Sequence, residues 1–207
     1  MPPVYVLNLP SPVGATKKIM DGYAPGSPLG VFSDYSSHGA EISIKIREGE
    51  QNRLEIFTSD ERLYLTVVGR RDSKILFDNQ GVAVLNVRNK ALNFGGEYQV
   101  FEGDGDTLSL FTVRNKWSLG GPRMVANLTN FDDESVELQV RGKLLNSSGK
   151  ITLHGQPVAK FEGGILEPIA DQPKKLETLS RMTVAPLVDV AMVVTIFVCL
   201  QDIASKD

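Results

Sequence analysis

Arg114, Lys116, Trp117 and Arg123 lie close together in the stretch Arg114-Asn115-Lys116-Trp117-Ser118-Leu119-Gly120-Gly121-Pro122-Arg123. Guanidinium and ammonium donors suit phosphate oxygens, and an indole suits a membrane interface, so the ligand these residues could hold is an anionic lipid headgroup. A strand end followed by a Gly-Gly-Pro loop accounts for the same residues and is the plainer reading. Acidic residues recur at alternate positions in Glu102-Gly103-Asp104-Gly105-Asp106. An EF-hand loop beginning at Glu102 would need glycine at Thr107 and glutamate at Val113, and one beginning at Asp104 would put Leu108 at a ligand position. The stretch therefore reads as a solvated hairpin turn, and no metal or other cofactor is expected.

The remaining reactive side chains are few. His38 sits in a polar stretch and His154 beside a turn glycine, where solvated surface residues are the expectation. Cys199, the single cysteine, lies in an apolar run and should behave as a small buried hydrophobe. No G-x-S-x-G, H-E-x-x-H, P-loop or G-x-G-x-x-G pattern follows a predicted strand, so no catalytic constellation is visible and a non-enzymatic protein is expected. A formal net charge of -3 argues against generic nucleic-acid binding, which needs a basic surface. Basic pairs such as Lys17-Lys18, Arg70-Arg71 and Lys174-Lys175 suit a solvated face. A lone cysteine and a beginning without a basic, then apolar, leader suggest an intracellular protein, cytoplasmic or peripheral to a membrane, and a monomer.

The elements that must position these groups are mostly strands. Residues 1–40 are rich in Pro, Gly and Ser and show no sustained apolar period, which reads as an irregular N-terminal arm ahead of one domain over 41–207. From Glu41 the pattern changes. Ile42, Ile44 and Ile46 alternate with Ser43, Lys45 and Arg47, and Val136, Leu138 and Val140 alternate with Glu137, Gln139 and Arg141, as half-buried strands do. Turn signals such as Asp78-Asn79-Gln80-Gly81 and Asn146-Ser147-Ser148-Gly149 separate these runs at short intervals. About ten to twelve strands follow between Glu41 and Val184, too many for an open sheet, so a closed antiparallel barrel or sandwich is expected. The longest irregular piece, Gly163 to Leu176, reads as a surface loop.

Val190 to Leu200 carries no charge at all. Pro186 suits a first helical turn and Asp189 the positive end of a helix dipole, which predicts a helix over about 187–204, with Asp202 at the unfavourable end. A helix apolar on every side is either wholly buried or a membrane span. The apolar run reaches only about 16 Å as a helix, against a hydrocarbon thickness of about 30 Å, so burial is expected and a transmembrane span is not.

The stretch Thr183-Val184-Ala185-Pro186-Leu187-Val188-Asp189-Val190-Ala191-Met192, continuing to Gln201-Asp202, resembles the C-terminal signature of the LURP-one-related proteins, which share the tubby C-terminal-like fold. In that family a V-x-Pro-Gly-Val-Asp pattern leads into a hydrophobic helix; this chain has Leu187 where glycine is usual. The runs from Lys74 to Arg88 and from Tyr98 to Arg114 are similar to the family's strand, turn and strand units. The resemblance spans roughly Leu54 to Ile203. It implies a closed barrel of twelve antiparallel strands with the hydrophobic C-terminal helix along its axis. Tubby-like relatives bind phosphoinositides and plant members are associated with stress or defence. The resemblance thus implies either an anionic phospholipid or a protein partner, met in the second case through exposed strand edges or the arm. A scramblase-like anchor using the C-terminal run is the third alternative.

Overall fold

The computed structural model describes residues 25–37, 39–70, 72–90, 96–118, 121–143, 148–163 and 178–204, with the backbone alone at 117–118, 121–123, 143, 178–179 and 204. Among them twelve strands form one antiparallel meander: β1 (Ile42–Glu48), β2 (Arg53–Thr58), β3 (Leu63–Gly69), β4 (Ser73–Asp78), β5 (Ala83–Asn89), β6 (Glu97–Glu102), β7 (Ser109–Ser118), β8 (Gly121–Thr129), β9 (Ser135–Lys143), β10 (Ser148–Leu153), β11 (Gln156–Glu162) and β12 (Thr178–Val184). Helix α1 (Val190–Ala204) follows. Each strand pairs with its neighbours in sequence, and β1 closes the barrel on β12 with Ile42 opposite Val184 and Ile46 opposite Ser180. Every one of these strands thus has two partners. The expectation that exposed strand edges would let a partner add a strand is overturned, because closure removes the edges.

The alternation read from the sequence faces as anticipated: Ile44, Ile46, Leu138 and Val140 are buried, while Lys45, Arg47 and Arg141 are partly or fully exposed. What they enclose is α1. Residues Val190 to Val194 have no exposed surface, and Phe197 packs edge-on to Phe161 of β11 with ring centroids 5.2 Å apart. A helix can be apolar on every face here because each face meets the barrel wall. No helix among the described residues is long and apolar enough to cross a membrane.

The helix begins at Val190, later than the sequence pattern suggested, for a backbone reason. Leu187 has φ 63°, in the left-handed region where glycine is at ease and a leucine is strained. Beyond it, Val188 and Asp189 pair with a strap from the end of the N-terminal arm, at Leu29 and Ser36, before the helix can start. The strap contains a 3-10 turn at Ser33–Tyr35. Leu29 N donates to Leu187 O (2.8 Å), and Asp189 N donates to Leu29 O (2.9 Å).

The wholly buried Asp189 carboxylate accepts from Met192 N (3.0 Å), as a helix N-cap does, and from Val31 N (3.1 Å) and Phe32 N (2.9 Å) of the strap. Burial pushes this carboxyl up to about 6, although the backbone N–H groups work in the other direction. Gly30 lets the strap approach so closely: a Cβ there would fall 2.1 Å from Asp189 Cβ, and its φ is +151°. At the other end of α1, Asp202 sits where the helix dipole is unfavourable. It is compensated by Lys74 Nζ (2.7 Å) and the Tyr98 hydroxyl (2.7 Å), and burial with the Asp202 charge raises the phenol's pKa.

A meander sorts its turns into two ends. The β2–β3, β4–β5, β6–β7, β8–β9 and β10–β11 turns lie at the end where α1 starts; the other turns lie where it finishes. Residues 1–24 of the expected arm, His38, and the loop over 164–176 fall outside the described residues.

Candidate functional site

Arg114 and Lys116 lie on the outward face of β7, two residues apart, with side chains 56% and 64% exposed. They do not converge. The Arg114 guanidinium turns towards β6, 3.9 Å from Glu97, whose carboxylate also meets Lys90 at 3.1 Å. The Lys116 ammonium turns the other way, towards β9, 3.5 Å from Glu137. Strand register sets Arg123 opposite Lys116 and Trp117 opposite Pro122 across the β7–β8 pair; the side chains of Trp117 and Arg123 lie outside the described residues. The sequence-adjacent cations are therefore joined by backbone register, and two of them are already partly neutralised by carboxylates.

The same register exposes cations that are distant in sequence. The Met124–Val140 pair of β8 and β9 puts Arg123 and Arg141 one step further along adjacent strands. Arg141 is directly opposite Lys150 of β10, and Lys150 is directly opposite Lys160 of β11. Lys116, Arg123, Arg141, Lys150 and Lys160 thus form one row across five strands, near the end where α1 finishes. Like charges directly opposite in a sheet repel, with a cost on the order of 0.2–1 kcal/mol for each pair. An anionic ligand would relieve that repulsion where Arg141 stands opposite Lys150.

Beside the row is an open depression of about 500 Å³ lined by Arg141, Gly142, Ser148, Gly149, Lys150, Lys160, Phe161 and Glu162. Its floor is tied to the core. A Cβ on Gly149 would come 2.3 Å from Phe161 Cζ and 2.6 Å from the Arg141 carbonyl oxygen, so glycine lets the Phe161 ring lie against β10, and that ring packs on Phe197 of α1. Two exposed cations, a third that is half-buried and the Ser148 hydroxyl border this space, with Glu162 as the one carboxylate in the lining. Such a set can bind anions by charge and hydrogen bonding; it contains no nucleophile paired with a base.

Sequence reasoning missed Arg141, Lys150 and Lys160 as a group because each is an isolated outward cation on its own strand. The usable signal was that each stands near the same end of its hairpin, which matters only once the register is known. The acidic stretch at Glu102 to Asp106 forms the β6–β7 turn. Asn86 Nδ2 donates to the carbonyls of Asp104 (2.9 Å) and Gly105 (2.7 Å), and Asp106 pairs with Arg88 at 2.8 Å. Among the described residues no group of three or more His, Cys, Asp or Glu side chains could hold a metal ion. His154 is exposed at the β10–β11 turn, and Cys199 is buried in α1, where burial raises its thiol pKa.

A sequence model of the LURP-one-related family matches residues 41–202. Among solved structures, the chain is similar to a protein from Arabidopsis thaliana determined by X-ray crystallography, with 22% identity, a TM-score of 0.63, and coverage of 84% of this chain and 96% of that one. At that identity the likeness is one of fold. A search of curated proteins gives no match.

Proposed function

The chain belongs to the LURP-one-related family, and from that premise we propose that it is a non-enzymatic domain that docks on anionic membrane surfaces, phosphoinositide-containing ones in particular. The observation that carries this reading is the register that sets Lys116, Arg123, Arg141, Lys150 and Lys160 at successive positions across five strands beside the depression of β9 to β11. A bilayer surface is broad and weakly structured, so a row of cations tangent to the barrel fits it better than a deep pocket would. Each lysine or arginine held near an anionic leaflet contributes about 1 kcal/mol. The scramblase-like alternative is disfavoured on energetic grounds: α1 would have to leave a barrel that buries it on every side.

Co-sedimentation with liposomes tests the proposal. Binding should require phosphoinositide or another anionic lipid and weaken with salt. The double variant Arg141→Gln/Lys150→Gln should lose about 2 kcal/mol, roughly 30-fold in affinity. Reversing Arg114, Lys116 and Arg123 should weaken it as well. Binding indifferent both to headgroup and to these substitutions would refute the reading.

A further inference from the structure

The opposite end of the barrel has a different surface. Among the described residues the exposed large apolar side chains are Leu63 (40%), Val82 (58%), Leu108 (56%) and Phe131 (40%). Leu63 opens β3, and Val82, Leu108 and Phe131 lie in the β4–β5, β6–β7 and β8–β9 connections, all at the end where α1 starts. Their neighbours are adjacent as well. Leu108 lies just before β7 and Phe131 just after β8, and these two strands pair, with Phe111 opposite Leu128, so the two side chains stand on neighbouring hairpins. In the middle of this end the strap contributes the half-buried Val31 and Phe32. Four apolar hairpin tips on one end are not needed for the core, which is closed beneath them by the strap, and their exposure has a solvation cost that a partner would remove.

Charge indicates the partner. The β6–β7 turn carries Asp104 and Asp106, and the β8–β9 turn carries Asp132, Asp133 and Glu134, against no lysine or arginine in either turn. Asp106 is held by Arg88, whereas Asp104, Asp133 and Glu134 have no ion pair among the described residues. An anionic bilayer would be repelled by these carboxylates. A second copy would have to offer its cationic row, but the exposed apolar side chains all lie on this end, so the row brings charge without matching apolar contact. We propose that the end of the barrel where α1 starts, centred on Leu108 and Phe131, is a docking surface for a cationic protein segment that presents large apolar side chains between lysines or arginines. The apolar anchors would supply affinity and the carboxylates orientation and association rate. This surface is independent of the membrane-facing row at the other end; with both in place, the domain links an anionic surface to a basic partner.

The probe is a synthetic amphipathic peptide of leucines and lysines at helical spacing, with a reference peptide carrying glutamate for lysine. Amide chemical-shift mapping on the full chain should place the lysine peptide on residues 104–108 and 131–134, with the glutamate peptide silent. Leu108→Ser and Phe131→Ser replace exposed side chains and should leave the thermal midpoint unchanged, yet each should weaken the lysine peptide about fivefold. Asp104→Lys/Glu134→Lys should weaken it about tenfold or more and abolish its salt dependence. Lys150→Gln should leave it unchanged, which separates this surface from the anionic-lipid reading. Shifts spread over the whole barrel, or an affinity unmoved by Leu108→Ser and Phe131→Ser, would overturn the proposal. So would a loss in those variants of liposome binding instead of peptide binding, since the tips would then be a membrane contact.

Discussion

Replacing Gly30 by alanine should be among the most damaging single-methyl additions available in this chain. A Cβ at Gly30 would lie 2.1 Å from Asp189 Cβ, 2.9 Å from Asp189 Oδ2 and 3.0 Å from its Cγ, and Asp189 cannot retreat because it is wholly buried and caps α1. The strap must move instead. From Leu29 to Phe32 it is held by three neutral hydrogen bonds, Leu29 N to Leu187 O, Asp189 N to Leu29 O and Gly30 N to Asn130 Oδ1, and two to the Asp189 carboxylate from Val31 N and Phe32 N. At about 1 kcal/mol for each neutral bond and about 2 for each bond to the carboxylate, losing all five costs about 7 kcal/mol. Partial displacement that leaves a strained backbone costs about 1–3 kcal/mol. The expected loss is therefore about 3–5 kcal/mol in a urea titration, with hydrogen exchange at the amides of Leu29, Val31, Phe32 and Asp189 accelerating beyond that of the β7–β8 pair. Gly26→Ala is the internal control. Nothing lies within 4 Å of a Cβ there, so it should stay within about 0.5 kcal/mol of the parent. A Gly30→Ala protein equally close to the parent would refute the idea that the strap is pinned to the helix cap.

Leu187→Gly relieves the left-handed strain of a leucine at φ 63°, about 1–2 kcal/mol, while giving up the contacts of a half-buried side chain. The two effects nearly cancel, and the midpoint should move by less than about 1 kcal/mol; a loss of 3 kcal/mol would show that Leu187 is a core residue. Asp189 gives a pH signature. Its carboxyl holds a proton up to about pH 6 in the folded chain, against 3.8 in the unfolded reference, so its contribution is complete below about pH 4 and falls as pH rises through 6, by about 3 kcal/mol. The stability difference between the parent and Asp189→Asn should shift by that amount between pH 4 and pH 7, and a flat difference would contradict the assignment. Gly149→Ala would drive a methyl into the Arg141 carbonyl and the Phe161 ring, costing about 2–4 kcal/mol by calorimetry and altering the depression beside Lys150.

Much of the fold was legible in order. The alternation of Ile44 and Ile46 with Lys45 and Arg47 marks a strand with an inside and an outside whatever surrounds it, because side chains alternate faces with a period of two. The apolar run at Val190 to Leu200 requires burial on every side, and a meander of this many strands has closure as its way of covering such a helix without leaving edges. The signature around Pro186 and Asp189 marked the family. The candidate site was legible only in part. Arg114, Lys116 and Arg123 are close in sequence, and two of these three are found in acid pairs that point apart.

Local pattern, then, determined which residues face inward and that α1 had to be enclosed, since both follow from periodicity and solvation of the chain itself. The tertiary structure alone decided which outward residues are neighbours. The hairpins of Leu108 and Phe131 become neighbours through the pairing of β7 with β8, and Arg141, Lys150 and Lys160 become a row only when strand register fixes which positions stand opposite one another. A shift of one residue would turn those side chains to the other face. The strap across the helix start was equally invisible, because the bonds from Gly30, Val31 and Phe32 to Asn130 and Asp189 join positions at least 100 residues apart in the chain. No local propensity encodes such contacts; they exist because barrel closure brings the end of the arm, the β8–β9 turn and the first turn of α1 to the same point.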